Sequence, residues 1–238
     1  NSLASHKMFV HGDWRGAERH FQRAIELNPN YGQTALYGSL LLWQGRVEES
    51  LATLRKAQEL SPLSPFHHRL LAHELYVLRR LDESIAGYHA ALELDAGDWL
   101  AHQQLGDAYE LAGRPGDAVE EWSTALTMAG NGELAALLER TFAESGFQPA
   151  VKALARARLE QLRSRAARGQ YVPAMSFVHL HLRLGELETA FEWLARAEGE
   201  RNRMLFEIGL DPIFDPVRAD PRFVGLVRRL GLPERPNR

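Results

Sequence analysis

The sequence predicts an all-α protein in which pairs of helices stack into a solenoid. Three observations support this fold class. Small residues recur at separations of 33, 34 and 34 residues, at Ala17, Ser50, Ser84 and Ala118. A large side chain follows each of them four residues later, and a second small residue follows three positions further on. Both halves of each unit also place apolar residues with the 3.6-residue period of a helix.

The first four units are each predicted to hold two antiparallel helices joined by a short turn. The first helices carry a small residue followed three positions later by a large one: Ser5 and Met8, Gly38 and Leu41, Ala72 and Leu75, and Gly106 and Tyr109. The second helices carry their large residues at Phe21, Leu54, Tyr88 and Trp122. Small residues allow two helices to approach closely, which predicts that they mark the contact within each pair. Asn28–Pro29 and Ser61–Pro62 close the first two units, because proline cannot continue a helix.

The repeat pattern weakens after residue 132 and returns near residue 178. Residues 133–146 predict a first helix, and an unusually long, basic second helix is expected from Pro149 to about Arg168. A last helix is predicted from Pro221 to Leu230. Three Asp-Pro pairs predict helix starts in the terminal segment, because Asp caps a helix and proline is tolerated at its first position: Asp211–Pro212, Asp215–Pro216 and Asp220–Pro221.

We therefore expect six units and a C-terminal capping segment. The chain begins with Asn1 rather than Met, so we expect the N-terminus to be a cut and the first unit to be truncated there. The expected boundaries are residues 1–31, 32–64, 65–98, 99–132, 133–170 for a degenerate fifth unit with the long basic helix, 171–199, and 200–238 for the capping segment.

These residues resemble the tetratricopeptide repeat family. Its pattern is matched by Leu105, Gly106, Tyr109, Ala118, Trp122 and Ala125. The resemblance implies a right-handed α-solenoid of about five to six helix-turn-helix repeats. Three C-terminal stretches, at residues 171–173, 190–194 and 211–223, resemble the tail of a bacterial subgroup in which the repeats follow a winged-helix, Ser/Thr kinase or adenylate cyclase domain. This second resemblance implies the docking or sensory part of a larger bacterial regulatory protein.

Composition and charge exclude several classes of function. Apolar residues make up 45% and charged residues 25%, which is typical of a folded globular protein. The net charge is −3, which argues against a chain that coats nucleic acid. The absence of cysteine excludes disulfide scaffolds, thiolate metal sites and thiol catalysis, but it leaves the compartment open between the cytoplasm and an extracytoplasmic position in a membrane-anchored regulator. No apolar run approaches the roughly 18–20 residues that a membrane span requires.

No group of residues predicts catalysis, a metal site or a cofactor. His179 and His181 are two apart and would point to different faces of a helix, whereas zinc ligands on a helix are three or four apart. His73–Glu74 lacks the second histidine of a zinc-protease motif. Asp107 and Glu110 are three apart, and we interpret them as a solvated pair rather than a catalytic one. We therefore predict that the chain is not an enzyme.

The family resemblance implies a concave groove lined by the first helices of the units. Taken onto this sequence, its inward positions give an apolar, aromatic groove with few charges: Phe9, Leu42, Trp43, Phe66, Arg69, His73, Tyr76, Gln103, Asp107 and Glu110. We expect this groove to bind a protein, a peptide or another domain of the same polypeptide. The alternative is a domain that senses a small ligand and controls an attached effector. Nucleic acid ranks last, because the groove is mostly apolar.

The long helix of the fifth unit offers a candidate basic docking patch. It consists of Lys152, Arg156, Arg163 and Arg165, on a segment that holds Glu160 alone as an acid. An acidic partner would fit this patch, but a solvated helix face is the interpretation that we favour.

Overall fold

The computed structural model describes residues 13–28, 34–200 and 202–233, and every regular element within them is helical. The predicted all-α solenoid of helix pairs is confirmed. The α-helices are α1 (Trp14–Leu27), α2 (Thr34–Trp43), α3 (Val47–Leu60), α4 (Pro65–Val77), α5 (Leu81–Leu94), α6 (Trp99–Leu111), α7 (Pro115–Met128), α8 (Gly132–Ser145), α9 (Phe147–Ala167), α10 (Ala174–Leu184), α11 (Leu187–Gly199) and α12 (Pro221–Arg229). Two 3₁₀ helices, Arg203–Phe206 and Pro212–Val217, lie between α11 and α12.

Small residues of the first helices form the contact within a pair. A Cβ atom added to Gly38 of α2 would lie 2.6 Å from Cγ of Leu54 in α3. A Cβ atom added to Gly106 of α6 would lie 2.5 Å from Cδ1 of Trp122 in α7. Ala118 of α7 is fully buried beside these residues. The repeating small residues are therefore needed because the large side chain of the partner helix lies directly against the backbone.

The turn within a pair requires a left-handed backbone conformation at one position. Gly45 adopts φ 79° and Gly113 adopts φ 72° there. The third unit places Arg79 at the same position, with φ 65°. This conformation is less favourable by roughly 1–2 kcal/mol for a residue with a Cβ atom. The guanidinium of Arg79 pairs with the carboxylate of Asp215 in the C-terminal segment, which holds this turn against the tail of the chain.

The C-terminal segment packs on the last helix pair. Phe214, Phe223 and Leu226 belong to one buried cluster with Val178 of α10 and Leu194 of α11. This cluster covers the apolar face that the last pair would otherwise expose. A solenoid requires such a cover at its end.

Two of the three expected Asp caps are present in this segment. Asp211 accepts a hydrogen bond from the Ile213 amide at 3.0 Å, and Asp220 accepts one from the Arg222 amide at 2.8 Å. The prediction that Asp215–Pro216 begins a helix is wrong, because both residues lie inside the 3₁₀ helix Pro212–Val217. Asp215 instead accepts a hydrogen bond from Nε of Arg218 at 2.9 Å, and it pairs with Arg79 as well.

None of the described helices combines the length and the apolarity that crossing a membrane demands.

Candidate functional site: the concave groove

Two of the predicted groove residues, His73 and Tyr76, lie together on α4. The imidazole of His73 stacks on the ring of Tyr76, with the ring centroids 6.1 Å apart. Trp43, at the C-terminal end of α2, is buried, and Leu42 is fully buried in the cluster that contains Phe21. Leu42 therefore offers no surface to a partner in this conformation.

The predicted groove residue Phe9 lies outside the described residues.

The protein's own C-terminal segment lies across the predicted groove. We call residues 203–211 the groove segment. The ring of Phe206 meets the ring of Trp14 edge to face, with centroids 4.7 Å apart, and it lies 5.9 Å from the ring of Trp43. Leu210 is buried in the same cluster as Trp43 and Val77. The apolar part of the groove near α1 and α2 is therefore filled by the tail of the chain.

An ion pair joins the groove segment to α4. Nε2 of His73 lies 3.5 Å from a carboxylate oxygen of Glu207. Burial by itself would lower the pKa of His73, but the hydrogen bond and charge of Glu207 raise it to about 9. Burial by itself would raise the pKa of Glu207, but His73 keeps it below its usual value. At neutral pH the contact is therefore an imidazolium–carboxylate pair.

A second carboxyl group lies beneath this pair. Glu74 of α4 is 3% exposed, and its carboxyl accepts a hydrogen bond of 2.5 Å from the hydroxyl of Ser39 in α2. Burial raises the pKa of Glu74 to about 7. Half of the Glu74 side chains are therefore uncharged near neutral pH. Glu74 directly follows the charged His73 in the sequence.

Asp107 and Glu110 do not form a solvated pair, contrary to the expectation from their spacing. Both bind Arg183 of α10, whose Nη1 lies 2.9 Å from Glu110 and whose Nη2 lies 3.1 Å from Asp107. Asp107 also accepts a hydrogen bond from the indole of Trp122 at 3.1 Å. Burial raises the pKa of Asp107 to about 6, although the charge of Arg183 opposes this shift. The contact bridges two units that are separated in sequence by α8 and α9, so it closes this side of the groove.

The rim of the groove near the start of α4 and α6 remains accessible. Phe66 is 41% exposed, and Trp99 is 46% exposed. The guanidinium of Arg69 lies 5.8 Å from the Phe66 ring centroid and pairs with Asp98 at 2.8 Å. Gln103 is half-buried on the next turn of α6.

Across the described residues, no cluster of His, Asp or Glu side chains has an arrangement suited to a metal ion.

Comparison with known family models finds a match to part of the chain. The family model for the tetratricopeptide repeat matches residues 10–73. This match supports the resemblance to the tetratricopeptide repeat family over the N-terminal part of the chain. A crystal structure of MamA aligns with a TM-score of 0.54 at 20% identity, over 68% of this chain and 95% of that chain.

Two further solved structures are similar to a lesser degree. A second crystal structure of the MamA protein aligns at 16% identity over 83% of this chain and 91% of that chain, with a TM-score of 0.47. A structure of Naa15/Naa10 bound to HypK-THB aligns at 15% identity over 94% of this chain and 35% of that chain, with a TM-score of 0.49. None of the curated proteins compared matches the sequence.

The basic helix α9 presents cations to solvent. Lys152, Arg156 and Arg163 are exposed on one side of α9, at spacings of four and seven residues. None of the three forms an ion pair within the described part of the chain. Arg165 lies on another side of the helix, where its Nε donates a hydrogen bond to Gln170 at 3.2 Å. The four residues therefore form a stripe of three and one separate cation.

The residues that fill and close the predicted groove are not predicted as groove residues by the sequence. They are Trp14, Arg183, Phe206, Glu207 and Leu210. The repeat pattern does not extend into the C-terminal segment, so it could not predict the positions of Phe206, Glu207 and Leu210.

Proposed function

We propose that this protein is a non-catalytic interaction scaffold whose concave groove binds a peptide or a partner domain. The observation that supports this function is the groove segment itself, a stretch of polypeptide outside any α-helix that lies against side chains from several units. A surface that already contacts a polypeptide segment outside any α-helix through aromatic and charged side chains is suited to a peptide partner. We further propose that the scaffold is the docking or sensory part of a larger bacterial regulatory protein, which rests on the resemblance of its C-terminal stretches.

The accessible rim provides the starting point for a partner. Phe66 and Trp99 expose aromatic surface, and Arg69 lies between them on α4. Aromatic residues and arginine dominate the binding energy of protein interfaces, where removal of one anchor typically costs about 2 kcal/mol or more. A partner that contacts this rim would continue into the groove toward His73 and Tyr76.

Two other surfaces support additional binding. The exposed side of α9 with Lys152, Arg156 and Arg163 would bind an acidic partner, because its cations have no internal partner in the described chain. The alternative function, sensing of a small ligand, is favoured by His179 of α10, whose Nε2 is buried without a hydrogen-bond partner beside the groove segment. A small acceptor or donor bound there would satisfy this nitrogen.

Site-specific photo-crosslinking tests the proposed function. A photoreactive phenylalanine analogue is introduced at Phe66 on the groove rim, at Arg55 on the exposed side of α3 as a matched control, and at Arg163 on α9. We expect protein adducts in the native host from the Phe66 position and none from the Arg55 position. Adducts from Arg163 alone would move the binding surface to α9. A metabolite retained by the purified protein in native mass spectrometry, with no protein adduct at any position, would favour ligand sensing.

A further inference from the structure

The groove segment faces two sides of the solenoid with different residues. Leu205 and Ile208 are buried in the cluster formed with α10, α11 and α12. Leu210 is buried against the first units, and Phe206 packs against both clusters, with its ring against Trp14 of α1 and Trp43 of α2. The segment is therefore attached to the last unit through Leu205 and Ile208 and to the first units through Leu210, and Phe206 contributes to both attachments.

The contacts to the first units include aromatic contacts and an ion pair. The Phe206 ring contacts two indole rings, and the neighbouring Glu207 carboxylate contacts one imidazole. The backbone here is a 3₁₀ helix of four residues, Arg203–Phe206, followed by turns. A short peptide from another molecule could make the same contacts without forming an α-helix first.

The charges that surround this position favour an acidic ligand residue. His73 and His179 both lower the pKa of the Glu207 carboxyl, although burial lowers the pKa of His179 itself. Arg203 acts in the same direction from within the segment. Asp211 and Glu74 are the neighbouring acids, and burial raises the pKa of Glu74 to about 7. A carboxylate adjacent to an aromatic ring is therefore the chemistry that this part of the groove accepts.

We propose that the groove segment is an internal competitor, and that the partner of this groove is a peptide in which an aromatic residue directly precedes Glu or Asp. The partner takes the place of Phe206 between Trp14 and Trp43 and of Glu207 beside His73. The inference rests on the proposed scaffold function and names both the partner class and its regulation. Residues 212–233 stay on the last unit during the exchange, because Phe214 and Phe223 are buried in the cluster with Val178 of α10 and Leu194 of α11.

Tethering explains why competition would control affinity. A segment on the same chain acts at an effective concentration that a free peptide in the micromolar range does not reach. The measured dissociation constant is then the intrinsic constant divided by the fraction of molecules with an open groove. Weakening the internal contacts should therefore tighten the binding of an added peptide.

The test uses a fluorescent peptide with the sequence of residues 203–212 and the full chain in three forms. The forms are wild type, the double variant Phe206→Ala/Glu207→Gln, and Met204→Ala as the matched control, since Met204 is an exposed residue of the same segment. Fluorescence anisotropy should show about tenfold tighter binding to the double variant than to the other two forms. A peptide that carries the same Phe→Ala and Glu→Gln changes should not bind, and Trp43→Ala in the double variant should abolish binding.

Equal affinity for the double variant and wild type would overturn the proposal. If circular dichroism shows that the double variant does not fold, Glu207→Gln alone must still shift the affinity in the same direction, by about threefold. Sedimentation velocity separates peptide binding from exchange of the segment between two copies, and a dimeric double variant would also overturn it. Failure of the peptide to bind, together with cross-links from Phe66, would leave the scaffold function intact and reject only the internal competitor.

Discussion

Replacement of Gly106 by alanine tests the contact that joins the two helices of a unit. The added Cβ would lie 2.5 Å from Cδ1 and 2.6 Å from Nε1 of Trp122, well inside van der Waals contact. Trp122 cannot move away freely. Its indole donates to Asp107, its ring stacks on Phe147 with centroids 6.0 Å apart, and the guanidinium of Arg183 lies 5.0 Å above it.

The size of the effect follows from two opposing terms. Overpacking of a filled core costs about 1–3 kcal/mol. Alanine is favoured over glycine inside a helix by roughly 0.5–1 kcal/mol, which offsets part of this cost. We expect Gly106→Ala to lower the free energy of unfolding by about 1–2 kcal/mol.

Urea denaturation followed by far-UV circular dichroism measures this change, with Gly116→Ala as the matched control. A Cβ added to Gly116, in the first turn of α7, meets no atom within 4 Å. The control should therefore be unchanged or more stable by up to about 1 kcal/mol. A Gly106→Ala protein as stable as wild type, or two variants that shift alike, would refute the packing of Gly106 against Trp122.

Two further predictions concern the cap and the buried acid. Phe223→Ala should lower the free energy of unfolding by about 3–5 kcal/mol, because the ring is 1% exposed. Phe66→Ala should change it by about 0.5 kcal/mol or less. Equal effects of the two variants in urea denaturation would contradict the role of the C-terminal segment as a cap on the last helix pair. Glu74 ionises near pH 4.5 when unfolded and near pH 7 when folded, so its stabilising contribution is present below pH 4.5 and is lost as the pH rises to 7. The difference in free energy of unfolding between Glu74→Gln and wild type should therefore shift in favour of the variant by up to about 3 kcal/mol from pH 4 to pH 8. A difference that does not change with pH would count against the neutral carboxyl.

The fold class and the helix pairs could be predicted from the sequence. The small residues at a 34-residue period are a local requirement of helix contact, and Gly106 against Trp122 has the close packing that this requirement implies. The sequence also predicted the position of the turn within a pair, since Gly45, Arg79 and Gly113 occupy it in successive units. These features depend on residues close together in the chain, so the pattern of residues along the sequence is enough to predict them.

The state of the groove was decided by the tertiary structure alone. The contact between His73 and Glu207 joins residues 134 positions apart, and the contact between Arg79 and Asp215 joins residues 136 positions apart. The tail has no repeat period, so nothing local fixes which of its side chains meets which unit. Its position depends on the curvature of the stacked pairs, which brings the first and last units near enough for Phe206 to reach Trp14. The sequence by itself determined that a groove would form, whereas its occupant depended on a curvature that arises only when all the units have packed.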